Sequence, residues 1–542
     1  MITDAEVYAI GDVHGAHEAL IELLTALGLI DSQQRWQGGD RHLVSVGDLI
    51  DRGDATRPVL DLWLRLESEA AAAGGGVHVL MGNHELMNLL GEWRDVSAGD
   101  LRSFAASSSS DGTTERRAAF AADGRYGRWL RARPWVLQIN HSLFVHGGLS
   151  ATLPVLEAGA IDAGARRALG NVESQAQALR DRGELGVSQS LLDLPAPITD
   201  EAATTDPLAT LRTALEDPLL SDAGPLWYRG NSRCPALLET PVVEQVLAAN
   251  DAARIVVGHT PTWNRQIQSR LDGRVWAIDT GMLKAVYGGA PMALRVHRGQ
   301  VSVFDGRGQP IRVAQDAQPG GADRASALAG AHWRLQADPE RALPPALGQA
   351  VLLHNAQGEA RGRGAFLPLK ARAVQRELAA LQLDRWLGLG MVPDAFAGSL
   401  DGRSGLVRLL DSAVVPERTR LERGYRFDDW CLQGSSYELV AAFDALIGQR
   451  QRSADNLAYD RRLTRVRLLD HGKAFDSRSR LPQTAGTSAL PTPLRERLRA
   501  LTPEVLDSLL AELLPARALQ ALLRRRDALL QRTDDPDVGS AS

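Results

Sequence analysis

Asp12 and His14 stand two residues apart in Gly11-Asp12-Val13-His14-Gly15, Asp48 follows Gly47, Asn83 follows Gly82, and His146 and His259 each adjoin a glycine. Carboxylate, imidazole and amide donors of this kind suit a pair of divalent cations. Two cations about 3.5–4 Å apart make a shielded, anionic phosphate ester hydrolysable, because they acidify a bridging water and neutralise charge on the transferring oxygens. Asp12 and His14, two apart in an extended segment, point the same way and would chelate a first ion. Asp48 would bridge, and Asn83, His146 and His259 would complete the second ion. Alone, a Gly-Asp turn or a histidine after a strand is usually structural. The weight lies in several such motifs occurring in order along one chain.

Elements to position these donors are legible around them. Val7 to Ile10, Leu43 to Val46, Val77 to Met81, Leu143 to Val145, Ile255 to Val257 and Val275 to Ile278 are short apolar runs that predict buried strands. The donor motifs follow the strands directly, as expected where loops at the carboxyl ends of α/β strands converge on a crevice. His17 to Leu29 and Arg57 to Ala73 carry apolar residues at helical spacing. Ser97 to Thr114, with four consecutive serines, predicts a mobile loop, and 161–224 an inserted cap near the site.

Taken together, Gly11-Asp12-Val13-His14-Gly15, Gly47-Asp48-Leu49-Ile50-Asp51-Arg52-Gly53, Gly82-Asn83-His84-Glu85 and His146-Gly147-Gly148 resemble the calcineurin-like phosphoprotein phosphatase family. Gly124 to Leu130, Leu143 to Ser150 and Trp227-Tyr228-Arg229-Gly230 are similar to its Shewanella-like bacterial branch. The resemblance runs from Val7 to about Val303. It implies Asp12, His14 and Asp48 on one metal and Asp48, Asn83, His146 and His259 on the other. It further implies that Arg52 and Arg229 clamp the phosphate, that His84 protonates the leaving oxygen and that Asp51 orients His84. Glu85 and Asp279 are open between supporting the ligands and a purely structural role. The implied fold is an α/β phosphoesterase sandwich of two sheets flanked by helices. Its implied chemistry is direct attack of a metal-bridged hydroxide on phosphorus.

With 542 residues the chain is too long for one core. Its polar, aperiodic stretch at 306–325 predicts a linker between a first domain at 1–305 and a second at 326–542. In the second half, Gly364 to Pro368, Arg376 to Ala380, Leu387 to Pro393, Leu446 to Gln449 and Leu468 to Gly472 resemble atypical kinase-like α+β folds. That resemblance matches Asn456 and Asp470 to metal-binding positions of a nucleotide site. It also shows departures. Gln451 stands where the base is expected, and an amide cannot accept a hydroxyl proton. Leu367 stands where a phosphate-pairing lysine is expected, with Lys370 and Asp455 as candidate substitutes for the lysine and the base. A kinase, a nucleotide-binding or docking pseudokinase and a ligand-free helical domain all stay open. Arg524-Arg525-Arg526 reads as a solvated or helix-end cluster.

A net charge of -5 predicts no general attraction to nucleic acid or anionic lipid. Cys234 and Cys431 lie far apart in sequence, so no disulfide framework or zinc-thiolate site is expected. The first strand begins so close to Met1 that no leader is expected, which favours the cytoplasm. The expected activity is metal-dependent hydrolysis of phosphoproteins or phosphopeptides, with Ser/Thr and Tyr esters both fitting. Manganese is the expected metal, with iron and zinc suited to the same ligands. The alternatives are a dinucleoside polyphosphate hydrolase and a regulatory protein whose second half recruits a partner.

Overall fold

The computed structural model describes residues 1–107, 109–194, 206–313, 333–344, 347–355, 357–409, 414–425, 433–459, 466–482 and 490–533. The chain divides into two compact units, Met1–Ser232 with Thr240–Ala317, and Arg233–Glu239 with Gln318–Ser542.

In the first unit, the parallel strands β1 (Val7–Ile10), β2 (His42–Ser45) and β3 (Gly76–Val79) pair in register, Val7 opposite His42 and His42 opposite Gly76. The antiparallel strands β9 (Ala293–His297), β10 (Gln300–Phe304) and β11 (Pro310–Ile311) extend this sheet to six in the order β11-β10-β9-β1-β2-β3. A second sheet of five runs β4-β5-β6-β8-β7, from β4 (Val136–Ile139), β5 (Ser142–Val145), β6 (Arg254–Val257), β7 (Gln268–Arg270) and β8 (Val275–Ala277). Here too the central strands β5, β6 and β8 are parallel.

The strand period of two decides which side chains fill which layer. Val7 and Ala9 join Val44, Phe144, Val256 and Leu294 in the core between the sheets. Tyr8 and Ile10, from the same strand, turn outward to Leu20, Leu23, Leu60 and Trp63 of the helices α1 (His17–Ala26) and α2 (Thr56–Ala72). Both faces of β1 are therefore buried, which is why its sequence is a continuous apolar run rather than an alternating one.

The helix α3 (Asn83–Leu89) starts immediately after β3. Ser97 to Thr114 is not the expected mobile loop over its first turns: α4 (Ala98–Phe104) is capped by the Ser97 hydroxyl, which accepts from Asp100 N. A single N-cap bond of this kind stabilises by about 1 kcal/mol. The helix α5 (Thr113–Phe120) follows, then α6 (Arg125–Arg131). The stretch at 161–224 contains most of α7 (Ala158–Asp181), whose Asp162 accepts from the backbone N–H of Trp135 just before β4. Part of this stretch, 195–205, lies outside the described residues.

The second unit is α+β. Its antiparallel sheet β12-β13-β14-β16-β15 uses β12 (Arg334–Ala337), β13 (Gln349–His354), β14 (Ala360–Leu367), β15 (Ala395–Leu400) and β16 (Arg403–Arg408). Helices Ala371–Leu387, Gln433–Ile447, Pro503–Leu510 and Ala516–Thr533 share one core, through Leu383, Phe443, Leu506 and Leu522 among others. Thr502 caps the third of these, accepting from Val505 N. Arg525 corrects the solvated-cluster reading: it is fully buried and donates to Leu446 O at 2.8 Å and to Arg478 O. Cys234 is disulfide-bonded, against the expectation for the two cysteines. Cys431 itself lies outside the described residues, as do most of 306–325 and the chain after Thr533.

Candidate metal centre

Each donor motif leaves its strand at the carboxyl end of the parallel part of a sheet. Asp12 and His14 follow β1, Asp48 follows β2, Asn83 follows β3, His146 follows β5 and His259 follows β6. Because the two sheets face each other, turns from both converge. Their approach is close enough to require glycine: a Cβ on Gly82 would lie 2.3 Å from Asp48 N, and one on Gly258 would lie 2.5 Å from Asp12 Oδ1.

The result is two donor groups that share one carboxylate, His14 with Asp48 and His84, and Asp48 with His146 and His259, all buried. Asp48 faces both ways: Oδ1 lies 3.3 Å from His146 Nε2, and Oδ2 lies 3.7 Å from His14 Nε2. Asp12 Oδ2 is 3.9 Å from His14 Nε2, and Asn83 Oδ1 is 2.8 Å from His146 Nε2. All six residues expected to ligate metal are thus brought together. The other ring nitrogens of His14 and His146 meet backbone carbonyls, Ile50 O at 3.0 Å and Val46 O at 2.8 Å. A carbonyl can only accept, so Nδ1 carries the proton on both rings; His14 Nε2 is left as a lone-pair donor, while His146 Nε2 faces two further acceptors, Asn83 Oδ1 and Asp48 Oδ1.

The unusual backbone of the site points the same way. His14, Asp48, Asp51, Arg52 and His259 all have positive φ, between 49° and 68°. Each such non-glycine residue costs on the order of 1–3 kcal/mol, a strain that persists only where surrounding structure enforces it. Glu85 explains part of the enforcement. Its carboxylate accepts from Asp48 N and Leu49 N, each at 2.8 Å, and from Gly82 N at 2.9 Å. It holds the Asp48 turn rather than adding a ligand. Asp279 similarly accepts from Gly281 N at 2.8 Å.

Electrostatically the cluster is short of positive charge. Burial, then Asp279 and Asp48, hold the Asp12 carboxyl well above its usual range. Burial pushes Asp279 up to about 6 and, aided by Asp48, Glu85 up to about 7. Burial lowers His14 to about 3 and keeps His259 well below its ordinary value, so these imidazoles are neutral donors. The Nε2 atom of His259 is buried with no hydrogen-bond partner. Unpartnered buried polar atoms are few in folded proteins. An orphaned imidazole lone pair beside crowded carboxylates fits divalent cations, and the donor set accommodates two.

His84 behaves differently from the other histidines. Burial works against its proton, but Asp48 and Asp51 outweigh burial and raise its pKa. Its Nδ1 lies 2.8 Å from Asp51 Oδ2, leaving Nε2 aimed toward Asp48 Oδ2, 3.9 Å away. Arg229 donates to His259 O at 2.9 Å and Thr260 Oγ1 at 3.2 Å, at the edge of one donor group. Arg52 lies 5.4 Å over the ring of Tyr287, which itself stacks on His14 with centroids 5.5 Å apart, at the edge of the other. Tyr287 was not singled out from the sequence, nor were Asn88, Asp100 and Arg116 behind Asp51. Asp100 follows Gly99 and Tyr287 precedes Gly288-Gly289, but none of the four directly follows a predicted buried strand, so the pattern that marked the donors does not mark them.

In the second unit, Gln451, Asn456 and Asp470 do come together, lining a cavity of about 600 Å³ with Leu367, Glu377 and Arg408. Asn456 is occupied within the fold: Nδ2 donates to Gln451 O at 2.6 Å, and Oδ1 accepts from Ser453 N at 2.8 Å. Asp455, expected as a candidate substitute for the base, pairs with Arg418 at 2.5 Å. Gln451 Oε1 accepts from Lys473 Nζ at 3.0 Å.

Residues 5–263 match the model of the calcineurin-like phosphoesterases. An uncharacterized protein of Schizosaccharomyces pombe is 30% identical, over 54% of this chain and 76% of its own length. Shewanella-like protein phosphatase 2 of Arabidopsis thaliana is 33% identical, over 26% of this chain and 46% of its own length. A crystal structure of the cold-active protein-tyrosine phosphatase of a psychrophilic Shewanella species shares 26% identity, with a TM-score of 0.43 over 58% of this chain and 81% of that one. No helix among the described residues is long and apolar enough to cross a membrane.

Proposed function

The chain belongs to the calcineurin-like phosphoesterase family, and from that premise we propose that it hydrolyses phosphate monoesters on proteins, using two metal ions held by Asp12, His14, Asp48, Asn83, His146 and His259. The observation that carries this reading is the single carboxylate, Asp48, shared by two buried donor groups. Bound cations would supply charge neutralisation at the phosphoryl oxygens and a water acidic enough to act near neutral pH. Arg52 and Arg229 would take the remaining phosphoryl oxygens, which a planar guanidinium engages two at a time. His84, with its pKa raised and Nδ1 fixed by Asp51, donates its Nε2 proton to the departing alkoxide as the P–O bond breaks. Relatives named as protein phosphatases support the protein substrate. Manganese is the proposed metal.

For the second unit we propose a kinase-like nucleotide pocket without phosphoryl transfer. The cavity lined by Asn456, Asp470 and Glu377 supports the pocket, and Gln451, an amide where a proton acceptor is needed, argues against transfer.

Phosphate release from phosphoserine, phosphothreonine and phosphotyrosine peptides, measured beside diadenosine tetraphosphate with Mn²⁺, tests the first reading. Release from at least one peptide is expected. Cleavage of the dinucleotide alone would replace it with the dinucleoside polyphosphate hydrolase.

A further inference from the structure

Resting on the hydrolase reading, we infer that Arg116 is a positioning residue for proton donation to the leaving group, acting on His84 through Asp51. Arg116, on α5, is fully buried. Stripping an ionised side chain of water costs several kcal/mol even after relaxation, so its place in the core calls for strong partners.

Those partners form a fork. Nε donates to Asp100 Oδ2 at 3.0 Å, NH1 donates to Asn88 Oδ1 at 2.6 Å, and NH2 reaches Asp51 Oδ1 at 3.4 Å. Asn88 closes the ring, donating from Nδ2 to Asp51 Oδ2 at 2.8 Å. The guanidinium is boxed by Phe120, Trp93 and Phe104, 4.6, 5.2 and 5.6 Å from the ring centroids.

The geometry divides the Asp51 carboxylate. Oδ1 faces Arg116, while Oδ2 receives Asn88 and lies 2.8 Å from His84 Nδ1. Asp51 has a left-handed backbone, φ 68°, and its side chain is wholly buried. Without the fork, nothing else described holds Oδ1 and the carboxylate can swing about χ2. His84 would then keep its place on α3 but lose the fixed ring orientation that aims Nε2. This makes Arg116, 65 positions beyond Asp51, part of the proton-donating unit.

A positioning role is selective in a way that a purely structural role is not. An alkoxide leaving group needs a proton, whereas p-nitrophenolate leaves without one. Arg116→Lys keeps the charge and loses the fork. On a phosphoserine peptide its kcat should fall roughly 10- to 100-fold, part of the range for losing general acid catalysis, with KM within about twofold. On p-nitrophenyl phosphate kcat should fall less than about threefold. In a His84→Asn background the same substitution should cost nothing further on the peptide. Metal content by mass spectrometry should be unchanged.

Equal losses on both substrates, or an undiminished loss in the His84→Asn background, would overturn the inference and leave Arg116 as a stabiliser of α3, α4 and α5. If Arg116→Lys does not fold, Asn88→Ala breaks the same ring without removing a buried charge, and it should show the same selectivity more weakly. Wild-type protein that releases phosphate from neither substrate with Mn²⁺ would defeat the hydrolase reading itself, a result distinguishable from unselective loss in an active enzyme.

Discussion

The polar clusters around Asp48 and around Asn456 are assembled from similar side chains at the ends of strands, yet they use their hydrogen-bonding capacity in opposite ways. Around Asp48, His259 Nε2 is left with no partner, and five residues hold left-handed backbone. Around Asn456, both ends of the amide are taken by neighbouring backbone, and Glu377 is engaged by Arg408 at 3.3 Å and His471 at 3.2 Å. Strain alone does not separate the two, since Asp470 also holds left-handed backbone at φ 57°; the contrast lies in unmet polar capacity, which marks a site whose remaining partners are not protein. Internal satisfaction marks a site that is stable as it stands and binds only what fits its cavity.

The contrast breaks most sharply at Asp48. Asp48→Asn removes the shared charge, so phosphopeptide turnover with Mn²⁺ should fall by about a thousandfold or more and bound metal should drop below two per chain. Near-normal turnover with full metal content would erase the distinction between the clusters. His84→Asn should leave metal binding intact and lower kcat on alkyl phosphates by on the order of 10²- to 10³-fold, read by steady-state kinetics beside metal analysis. A loss of metal instead would place His84 among the ligands.

On the Asn456 side, calorimetry of the full chain with ATP and Mg²⁺ should show binding that Asp470→Asn weakens by about tenfold, with no phosphoryl transfer to any acceptor. Wild-type binding unaffected by the substitution would remove Asp470 from the pocket.

The smallest effect is on stability. Asp384 is fully buried, its Oδ1 accepts from Met391 N at 3.0 Å, and burial pushes its pKa up to about 7. The folded chain therefore holds a proton that the unfolded chain has released, and Asp384 destabilises increasingly as pH rises from about 4 through 7. Asp384→Asn keeps the acceptor and should raise stability at pH 8 by roughly 2–4 kcal/mol, with little change at pH 4. Thermal melts at the two pH values would show it. An equal shift at both would mean that the carboxyl is not titrating.

Much of the first unit was legible because strands buried on both faces advertise themselves as apolar runs, and the candidate donors follow those runs at once. The donor set was readable for the same reason: Asp12, Asp48, Asn83, His146 and His259 each sit within a few residues of a strand end beside a glycine. Arg525 and Arg116 were not readable. A buried arginine looks like a surface one in sequence, since what keeps it buried is a set of acceptors and aromatic faces from remote segments. The first part of the expected loop at Ser97 to Thr114 is helical for a related reason, because Ser97 caps a helix whose Asp100 is held by Arg116.

By itself, the sequence determined the strand order of the donor motifs, the chemical type of every candidate ligand and the glycines that let the turns approach. These are local properties, set by side-chain chemistry and by the period of the pattern. Only the tertiary structure decided which oxygen of Asp48 faces which histidine, that His259 Nε2 is left unpartnered, and that Asp51 is gripped from behind by Arg116. Those are distances between residues tens or hundreds of positions apart, fixed when two sheets pack face to face and their turns meet at one edge.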